Sequence, residues 1–473
     1  MTDSPDGEQL LLVPEAVRRA ARPRTPKPAP GPAAVDPVAQ VLVDVPLAHL
    51  DRPFEYTVPE PMAQAAVPGA RVRVRFAGQE RDGFVLARTA VADHVGRLAP
   101  LRRVVSAEPV LSPQLHRLCR EVTDRWAGTL PDVLRLAVPP RHAEAEKAPA
   151  GDPVPAPERP ERGPWTRYPA GPAFLDRLAA GDPVRAAWTA LPSAGDPASD
   201  WPRAIAVAVL TTLSAGRGAL VVVPDARDVA RVEAELAALA DDGPAVHVAL
   251  TADLGPKARY AAWLRVNRGE VRAVVGTRAA MFAPVRDLGL VVCWDDGDDL
   301  HAEPRAPYPH VRAVLALRST QEGASLVVGG LARTAEGAAL VRSGWARSVA
   351  APREVVRRTA PHVVADPGTD HPAEAGVRGA RLPTQAWRAA RTGLETGPVL
   401  VQVPRSGYLP GLACATCRAP ARCDACRGPL ATGGTDRPPA CRWCGVVATG
   451  WACPSCDGRR LRATVVGSGR TAE

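Results

Sequence analysis

Eight cysteines near the carboxyl-terminal end of the sequence are the feature that most restricts how this chain can fold. They form four Cys-x-x-Cys pairs: Cys414 and Cys417, Cys423 and Cys426, Cys441 and Cys444, and Cys453 and Cys456. Two intervening residues let both thiolates of a pair bind one tetrahedral ion, so four pairs predict two four-cysteine zinc sites. Because four protein ligands leave no position for a substrate, the expected role is structural. Spacing alone does not decide which pairs share an ion.

The cysteine pattern also indicates a compartment. Eight of the 10 cysteines lie in regular pairs, which is typical of intracellular metal binding rather than of secreted disulfides. Cys119 and Cys293 stand in apolar segments and are expected in the core. No apolar run reaches the roughly 18 residues that a membrane span needs, and the N-terminus lacks the pattern of a signal peptide. We therefore expect a cytoplasmic protein without a membrane partner.

Charge favours a nucleic-acid partner. The 473 residues allow two to four domains, and 59 basic against 50 acidic residues give a formal charge of +9 and a pI near 9.3. Almost all the basic residues are arginines, and the lysines are only Lys27, Lys147 and Lys257. Any mechanism that requires a lysine therefore has three candidates.

The amino-terminal third divides into a tail and a β-rich unit. Residues 1–37 are polar and then proline-rich, which predicts a flexible tail. Residues 38–140 form the first folded unit, where VAQVLVDVPL and ARVRVRFAG predict strands. In the second strand, Arg71, Arg73 and Arg75 alternate with valines, so their side chains share one face. SPQLHRLCREVTDRWAG predicts a helix with Ser112 as its N-cap.

The central region has an α/β pattern. Residues 141–165 are a proline-rich linker, and residues 166–395 alternate short apolar strands with helical stretches such as DVARVEAELAAL. The strands are GALVVVPD, VRAVVGTR, LGLVVCWDD and ASLVVGG. Strands that are apolar on both faces predict a parallel sheet covered by helices. A further strand, GPVLVQVPRSGY, is predicted to lead into the cysteine region within residues 396–473.

The order of these segments resembles the PriA family, the primosomal protein N-prime of bacterial replication restart. The resemblance rests on PFEYTVPE, VVGTRAAMFAPVRDLGLVV, PRSGY, the cysteine pairs and GSGRTAE. It implies a multidomain α/β fold with a β-rich N-terminal DNA-binding domain, a RecA-like parallel-sheet lobe and a zinc-binding insertion. That insertion lies at a second lobe, which is incomplete in this sequence. It also implies a superfamily 2 helicase motor and a bacterial, nucleoid-associated location.

The resemblance carries specific site residues. It implies that one zinc ion takes Cys414, Cys417, Cys453 and Cys456, and that the other takes Cys423, Cys426, Cys441 and Cys444. The family pocket for a DNA 3′ end corresponds here to Phe54, Glu55 and Tyr56. Together with Arg71, Arg73 and Arg75 these are the predicted DNA-binding residues. A carboxylate can accept a bond from a terminal hydroxyl, and an aromatic ring can stack on a base. Without the resemblance, the two aromatic residues are ordinary strand residues, one of them in the core. A lysine of the family falls at Ala99, and Arg97 or Arg102 could supply its charge.

The motifs of a nucleotide-hydrolysing site are degraded. A phosphate-binding loop needs glycines, a lysine and a Ser or Thr. The corresponding segment, residues 191–209, has no lysine, and Gly195 is its only glycine. The acidic motif after LGLVVC begins with Trp294 in place of the first acid, and its histidine is missing; a shift of one residue would place Asp295 first. The aspartates of WDDGDD are interpreted as a solvated loop. A third motif, at Gly329, Gly330, Leu331, Ala332 and Arg333, has lost its hydroxyls.

Three hypotheses follow. The leading one is a zinc-containing, DNA-binding PriA-like protein that recognises branched forks and recombination intermediates. It helps reload the replication machinery without helicase activity and without catalytic residues. Its expected partners are fork DNA, primosome proteins and single-stranded DNA-binding protein. The first alternative is an ATP-dependent 3′–5′ helicase with an atypical nucleotide site, and the second is a zinc module that binds a protein. DNA-stimulated ATP hydrolysis would distinguish the first alternative from the leading hypothesis. A fork titration at two salt concentrations would distinguish the second alternative from it.

Overall fold

The computed structural model describes residues 30–193, 195–240, 244–364, 384–402, 411–433 and 437–465. These residues belong to two compact units, which divide between Pro361 and His362. Most of the flexible tail predicted for residues 1–37 lies outside the described residues. Residues 30–37 pack on the first unit: Ala33 is buried, and its N–H donates to the carbonyl of Val58 at 2.8 Å. The predicted tail is therefore too long at this end.

The first unit begins with a five-stranded antiparallel sheet in the order β2-β1-β4-β3-β5. Its strands are β1 (Val38–Val43), β2 (Phe54–Thr57), β3 (Arg71–Phe76), β4 (Gln79–Thr89) and β5 (Arg103–Ser106). One face carries a small core that includes Val41, Val72, Val74 and Val85. Valines on alternate positions of β3 face this core, and this places the arginines between them on the opposite face.

Three helices follow the antiparallel sheet: α1 (Pro113–Arg125), α2 (Leu130–Ala137) and α3 (Ala143–Glu146). Helix α1 begins as predicted, because the Ser112 side chain accepts a hydrogen bond from the N–H of Leu115 at 3.1 Å. Leu118 and Cys119 of α1 are buried in the same core as strands of the next sheet. Cys119 therefore lies in the core, and burial raises the pKa of its thiol above the usual range.

The second sheet has seven parallel strands in the order β12-β6-β11-β10-β7-β9-β8. The strands are β6 (Arg185–Thr189), β7 (Gly218–Val222), β8 (His247–Leu250), β9 (Ala273–Gly276), β10 (Leu288–Trp294), β11 (Ser325–Gly330) and β12 (Arg347–Ala350). Every residue of β7, β9, β10 and β11 is buried. The prediction of a parallel sheet covered on both faces is confirmed.

Helices cover this sheet. They are α4 (Gly171–Ala180), α5 (Trp201–Ser214), α6 (Ala226–Leu239), α7 (Pro256–Arg268), α8 (Val311–Glu322), α9 (Ala335–Arg342) and α10 (Arg353–Thr359). Twelve of the 14 residues of α5 are buried, which is typical of a helix enclosed on all sides. Helix α5 is the next α-helix after β6, so its N-terminus lies at the carboxyl edge of the sheet.

The proline-rich linker is docked rather than free. Glu146 accepts hydrogen bonds from the hydroxyls of Ser106 (3.0 Å) and Tyr260 (2.6 Å), so it joins the antiparallel sheet to α7. The N–H of Val154 donates to the carbonyl of Glu270 at 2.8 Å. These bonds hold the linker along the parallel-sheet region.

The second unit contains α11 (Thr384–Leu394) and two small antiparallel pairs. Strand β13 (Gly411–Cys414) pairs with β16 (Leu461–Val465), and β14 (Leu430–Ala431) pairs with β15 (Ala440–Cys441). The strand predicted for GPVLVQVPRSGY is wrong for residues 397–402, which form no strand. Leu400 is 92% exposed there, and no described strand pairs with the segment. The remainder of that segment, with PRSGY, lies outside the described residues, as does GSGRTAE.

Candidate DNA-end site, sheet edge and metal centres

The residues predicted for a DNA-end pocket lie on β2 and point to different surroundings. Tyr56 is 4% exposed within the core of the antiparallel sheet, and burial raises its pKa to about 12. Phe54 is half-buried and packs edge-on against Phe76, with ring centroids 4.8 Å apart. The guanidinium of Arg52 lies 4.9 Å from the Phe54 ring centroid. Tyr56 is therefore a core residue, whereas Phe54 retains a partly open ring beside a cation.

Glu55 lies between these aromatic residues and holds a loop. Its carboxylate accepts hydrogen bonds from the N–H groups of Asp93 at 3.1 Å and His94 at 2.9 Å. The segment that contains Ala99 runs beside β2, because the N–H of Thr57 donates to the carbonyl of Ala99 at 3.0 Å. Arg97 and Arg102, the candidates to supply a positive charge there, are both exposed. The structure thus brings an anchored carboxylate, a ring and an arginine-bearing loop to one strand.

The three arginines of β3 share one face but have different partners. Arg71 donates to the carbonyl of Pro139 at 2.7 Å and lies 5.3 Å from the ring centroid of Phe84; burial lowers its pKa. Arg73 forms an ion pair with Asp82 at 2.8 Å. Arg75 is exposed. A solvated backbone phosphate would therefore reach Arg75 most readily, and Arg71 least.

A cavity of about 390 Å³ lies beside this face and α2. Arg71 and Arg73 line it together with Arg135 and Arg141. Arg135 pairs with Asp44 at 2.7 Å, and Arg141 pairs with Glu146 at 2.6 Å. These carboxylates offset much of the positive charge around the cavity, so the arginine count alone overstates its attraction for an anion.

The carboxyl edge of the parallel sheet is where the resemblance places a nucleotide site. Strands β6, β11 and β10 are neighbours, so the segments that follow them meet there. The segment after β6 ends at Asp200, whose carboxylate accepts from the N–H of Trp201 at 2.7 Å and pairs with Arg231 at 2.6 Å. The N-terminus of α5, which in a phosphate-binding loop faces an anion, is thus capped by the chain's own carboxylate.

Tryptophans fill the same edge. Trp294 is the last residue of β10 and is 3% exposed. Its ring stacks on that of Trp201, with centroids 4.3 Å apart and an interplanar angle of 13°. Trp188 of β6 lies 5.3 Å from Trp294, and the Arg231 guanidinium lies 4.7 Å from the Trp201 ring centroid. Aromatic side chains therefore occupy the end of the strand to which the resemblance assigns the first acid.

The interpretation of the aspartates after β10 as a solvated loop is wrong for Asp296. This residue is 4% exposed, pairs with Arg312 of α8 at 2.7 Å and accepts from the hydroxyl of Thr334 at 2.7 Å. The cause is the packing of α8 and the N-terminus of α9 beside the strand end. Asp295 as a whole is exposed. Its carboxyl group is nevertheless partly desolvated, and this raises its pKa.

Two further polar side chains, Thr334 and His301, lie close to the end of β10. Thr334 follows Arg333 directly, and its hydroxyl both caps α9, by accepting from Gly337 N–H at 3.0 Å, and reaches Asp296. His301 is buried, and its Nε2 lies 2.7 Å from the carbonyl oxygen of Trp294.

Three residues that shape this edge, Thr334, Arg312 and Trp201, were not predicted from the sequence. The N-cap pattern of Thr334 and of Asp200 before Trp201 was a usable signal, whereas the Arg312 pair depends on tertiary packing.

The eight cysteines form two clusters, each with its four sulfur atoms within 4.8 Å of one another. Their members are Cys414, Cys417, Cys453 and Cys456 in one, and Cys423, Cys426, Cys441 and Cys444 in the other. These are the groups that the resemblance implies. Sulfur separations include 3.6 Å for Cys414 and Cys456 and 3.7 Å for Cys423 and Cys444. A tetrahedral zinc with Zn–S near 2.3 Å requires sulfurs about 3.8 Å apart, so the clusters fit such an ion.

Backbone donors support the thiolate form in these clusters. The N–H of Trp443 donates to the sulfur of Cys441 at 3.4 Å, and that of Gly428 donates to Cys426 at 3.4 Å. A hydrogen bond from the N–H of Cys444 is the main cause that lowers the pKa of Cys441 to about 6. Despite the N–H of Gly428, the neighbouring thiols of Cys444 and Cys441 raise the pKa of Cys426 to about 12, so the grouping of four sulfur atoms is what fits each cluster to a metal ion.

Comparisons with known proteins agree with this arrangement. Residues 40–139 match the family described as the 3′DNA-binding domain (3′BD) of PriA. The chain is 51% identical over 433 residues to the probable replication restart protein PriA of Mycobacterium tuberculosis (strain ATCC 25618 / H37Rv), covering 90% of this chain and 65% of that protein. The corresponding protein of Mycobacterium leprae (strain TN) is 49% identical over 439 residues, with the same two coverages.

A solved structure is also similar to part of this chain. The DExH-box NTPase HrpB of E. coli is similar in structure over 39% of this chain and 21% of its own, with a TM-score of 0.22 and 18% identity. Among the described residues, no helix is long and apolar enough to cross a membrane. The chain spans just under two thirds of the length of the mycobacterial relatives.

Proposed function

Because the chain belongs to the family of replication restart proteins PriA, we propose that it binds branched DNA at stalled forks and recombination intermediates. There it helps reload the replication machinery without unwinding DNA itself. The observation that carries the DNA-binding part is the match of residues 40–139 to a 3′DNA-binding domain. The basic balance of the chain, +9, is compatible with this partner.

The DNA 3′ end is proposed to bind along β2. Phe54 offers a partly open ring beside Arg52, and Glu55 offers a carboxylate fixed by two backbone donors. A carboxylate held in this way can accept a hydrogen bond from a terminal hydroxyl, because each of its oxygens keeps a free lone pair. Arg75 and the arginines of the adjoining loop, Arg97 and Arg102, would contact backbone phosphates. Tyr56 supports the site from the core rather than by touching DNA.

The absence of a motor is supported by the edge of the parallel sheet. A triphosphate requires a lysine, backbone donors from a glycine-rich loop and a magnesium-binding acid. Here the segment after β6 has no lysine, Asp200 caps the following helix, and Trp294 stacks on Trp201 at the strand end. Arginines close by, such as Arg231, are already paired with carboxylates. We propose on these grounds that the lobe is a scaffold and has no catalytic residues.

Zinc is the proposed ion for both cysteine clusters, because all-thiolate tetrahedral sites favour it. The proposed setting is the bacterial nucleoid, with primosome proteins and single-stranded DNA-binding protein as partners. Those partners are proposed from the family relationship.

A paired binding and turnover experiment tests the proposal. Purified chain is titrated with fork DNA at two salt concentrations, and ATP hydrolysis is measured on the same forks. We expect fork binding that weakens with salt, with no rise in ATP turnover. DNA-stimulated turnover would favour an active helicase with an atypical nucleotide site. Absence of fork binding at low salt would favour a zinc module whose partner is a protein.

A further inference from the structure

The cysteine unit, residues 411–433 and 437–465, exposes one of its two tryptophans. Trp451 is 4% exposed, and its ring N–H donates to the carbonyl of Arg422 at 3.0 Å. Trp443, between two metal-binding cysteines, is 70% exposed. Val446 and Val447 of the same knuckle are 48% and 52% exposed. A large aromatic ring that a small folded unit leaves in solvent is a candidate contact for another molecule.

Two exposed arginines adjoin this tryptophan along the backbone. A Cβ atom added at Gly428 would meet the Trp443 ring at 3.0 Å, so the indole lies directly on the backbone next to Arg427. Arg442 precedes Trp443 in the chain. Both arginines are exposed, and the ion pairs formed by described residues all lie in the first unit. The backbone at this ring therefore carries two exposed arginines, and neither forms an ion pair with a described carboxylate.

The net charge of the cysteine unit is small once its two metal sites are included. The sequence from 411 to 463 has eight arginines, three aspartates and no lysine. A zinc ion with four thiolates carries a formal charge of about −2, so two such sites offset most of this excess. A uniformly basic surface is therefore not the explanation. The distinctive feature is local: an exposed indole whose adjoining backbone carries two exposed arginines, Arg427 and Arg442.

We propose that this surface binds single-stranded DNA, with a base stacked on Trp443 and phosphates contacting Arg427 and Arg442. An unpaired base presents the flat face that an indole can stack on, whereas bases in a duplex are already stacked on each other. Planar guanidinium groups suit phosphate oxygens. Val446 and Val447 extend the apolar surface along the strand. The site goes beyond the function proposed above and does not depend on the DNA-end pocket.

The test uses the full chain and a labelled oligothymidylate whose 3′ end is blocked by phosphate. The block removes the free 3′ hydroxyl, so failure of the DNA-end proposal would not affect the result. Trp443→Ala is expected to weaken binding about tenfold, and Trp443→Phe to retain most of the affinity. Trp387→Ala is the matched control, because Trp387 is also half-exposed beside an arginine but lies outside the cysteine unit. It should change nothing.

A second variant examines the phosphate contacts. Arg427→Gln combined with Arg442→Gln should lower the magnitude of the salt slope, d log K/d log [salt], by about 1.4. Zinc content is measured for every variant, and two ions should remain. If Trp443→Ala loses zinc, Trp443→Phe and the arginine pair decide the outcome. Unchanged affinity and slope in the arginine pair, or equal weakening by Phe and Ala at Trp443, would overturn the proposal and leave a protein as the occupant of this surface.

Discussion

The carboxyl edge of the parallel sheet and the cysteine unit relate fold to site in opposite ways. At the sheet edge, seven strands are formed, and packed aromatic side chains lie where the resemblance places a nucleotide site. In the cysteine unit, four of the eight buried core residues are themselves cysteines of the two clusters that can hold a metal ion. Strands need only apolar side chains and backbone partners, so their sheet can outlast its site. A unit whose core includes the ligands of its own metal sites cannot keep its fold when those ligands are lost.

The largest effect is expected from replacing one cysteine of the cysteine unit, where fold and site depend on the same residues. Cys441→Ser should lower zinc from two ions per chain to about one and unfold the second site, because a three-ligand site binds zinc far more weakly. Metal analysis and limited proteolysis measure both changes. Cys119→Ser is the matched control, since Cys119 is buried outside the clusters. Two retained zincs in the Cys441 variant would contradict a role for Cys441 as a zinc ligand.

The next effect tests whether aromatic packing has replaced the site at the sheet edge. Trp294→Ala should reduce the free energy of unfolding by roughly 3–5 kcal/mol, the usual cost of removing a large buried aromatic side chain. Chemical denaturation measures it, with Trp387→Ala as a half-exposed control that should cost less than about 1 kcal/mol. A loss below that level in Trp294→Ala would mean that the stack with Trp201 does not support the lobe.

A pH effect of intermediate size comes from His310, which caps α8 by accepting from the N–H of Arg312 at 3.2 Å. Burial, with Arg312 and His301 nearby, lowers the pKa of His310 to about 4. A histidine whose folded pKa lies below its unfolded value of about 6.5 contributes stability that is complete above pH 6.5 and is lost as pH falls toward 4. The slope is at most about 1.4 kcal/mol per pH unit. His310→Asn keeps a capping side chain that does not titrate. The free energy of unfolding, measured by chemical denaturation between pH 7 and 4.5, should therefore fall less steeply with pH in this variant than in the unaltered chain. Equal slopes would contradict the account of His310.

The smallest expected effect concerns DNA-end recognition. Glu55→Ala should weaken binding to forks with a free 3′ hydroxyl by about fivefold, comparable to one hydrogen bond, and should change binding to 3′-blocked forks less. Glu121→Ala removes an exposed carboxylate from α1 of the same unit, away from the proposed contacts, and serves as control. Equal weakening on free and blocked ends would contradict recognition of the 3′ hydroxyl by Glu55. Strand β2 would then only support the loop and make general phosphate contacts.

Local patterns predicted much of this structure. Alternating valines, the Ser112 cap, apolar runs and the cysteine pairs each specify their element through neighbours in sequence. Packing across long sequence distances was not predictable in the same way. Trp188, Trp201 and Trp294 meet only because the strand order brings β6 and β10 to one edge. Burial of Asp296 needed Arg312 from a helix that no motif had linked to it.

Two segment-level predictions failed for a related reason. The apolar run in GPVLVQV satisfied the pattern of a strand, yet residues 397–402 have no described partner strand. Residues 30–37 had the composition of a free tail, yet Arg88 donates to the carbonyls of Val35 and Asp36 at 2.6 Å and 2.9 Å and ties them to the sheet. Composition describes what a segment can do alone, and tertiary partners decide the outcome.

ATP turnover by the purified chain, with and without fork DNA, tests the central claim most directly. The account predicts no turnover above background in either case, although the forks are bound. Lys257→Ala is measured beside it, since Lys257 is the one lysine within the parallel-sheet region and lies exposed at the start of α7. It should behave like the unaltered chain. Turnover that rises with fork DNA would contradict the account, and its loss in the Lys257 variant would identify the residue that supplies the missing charge.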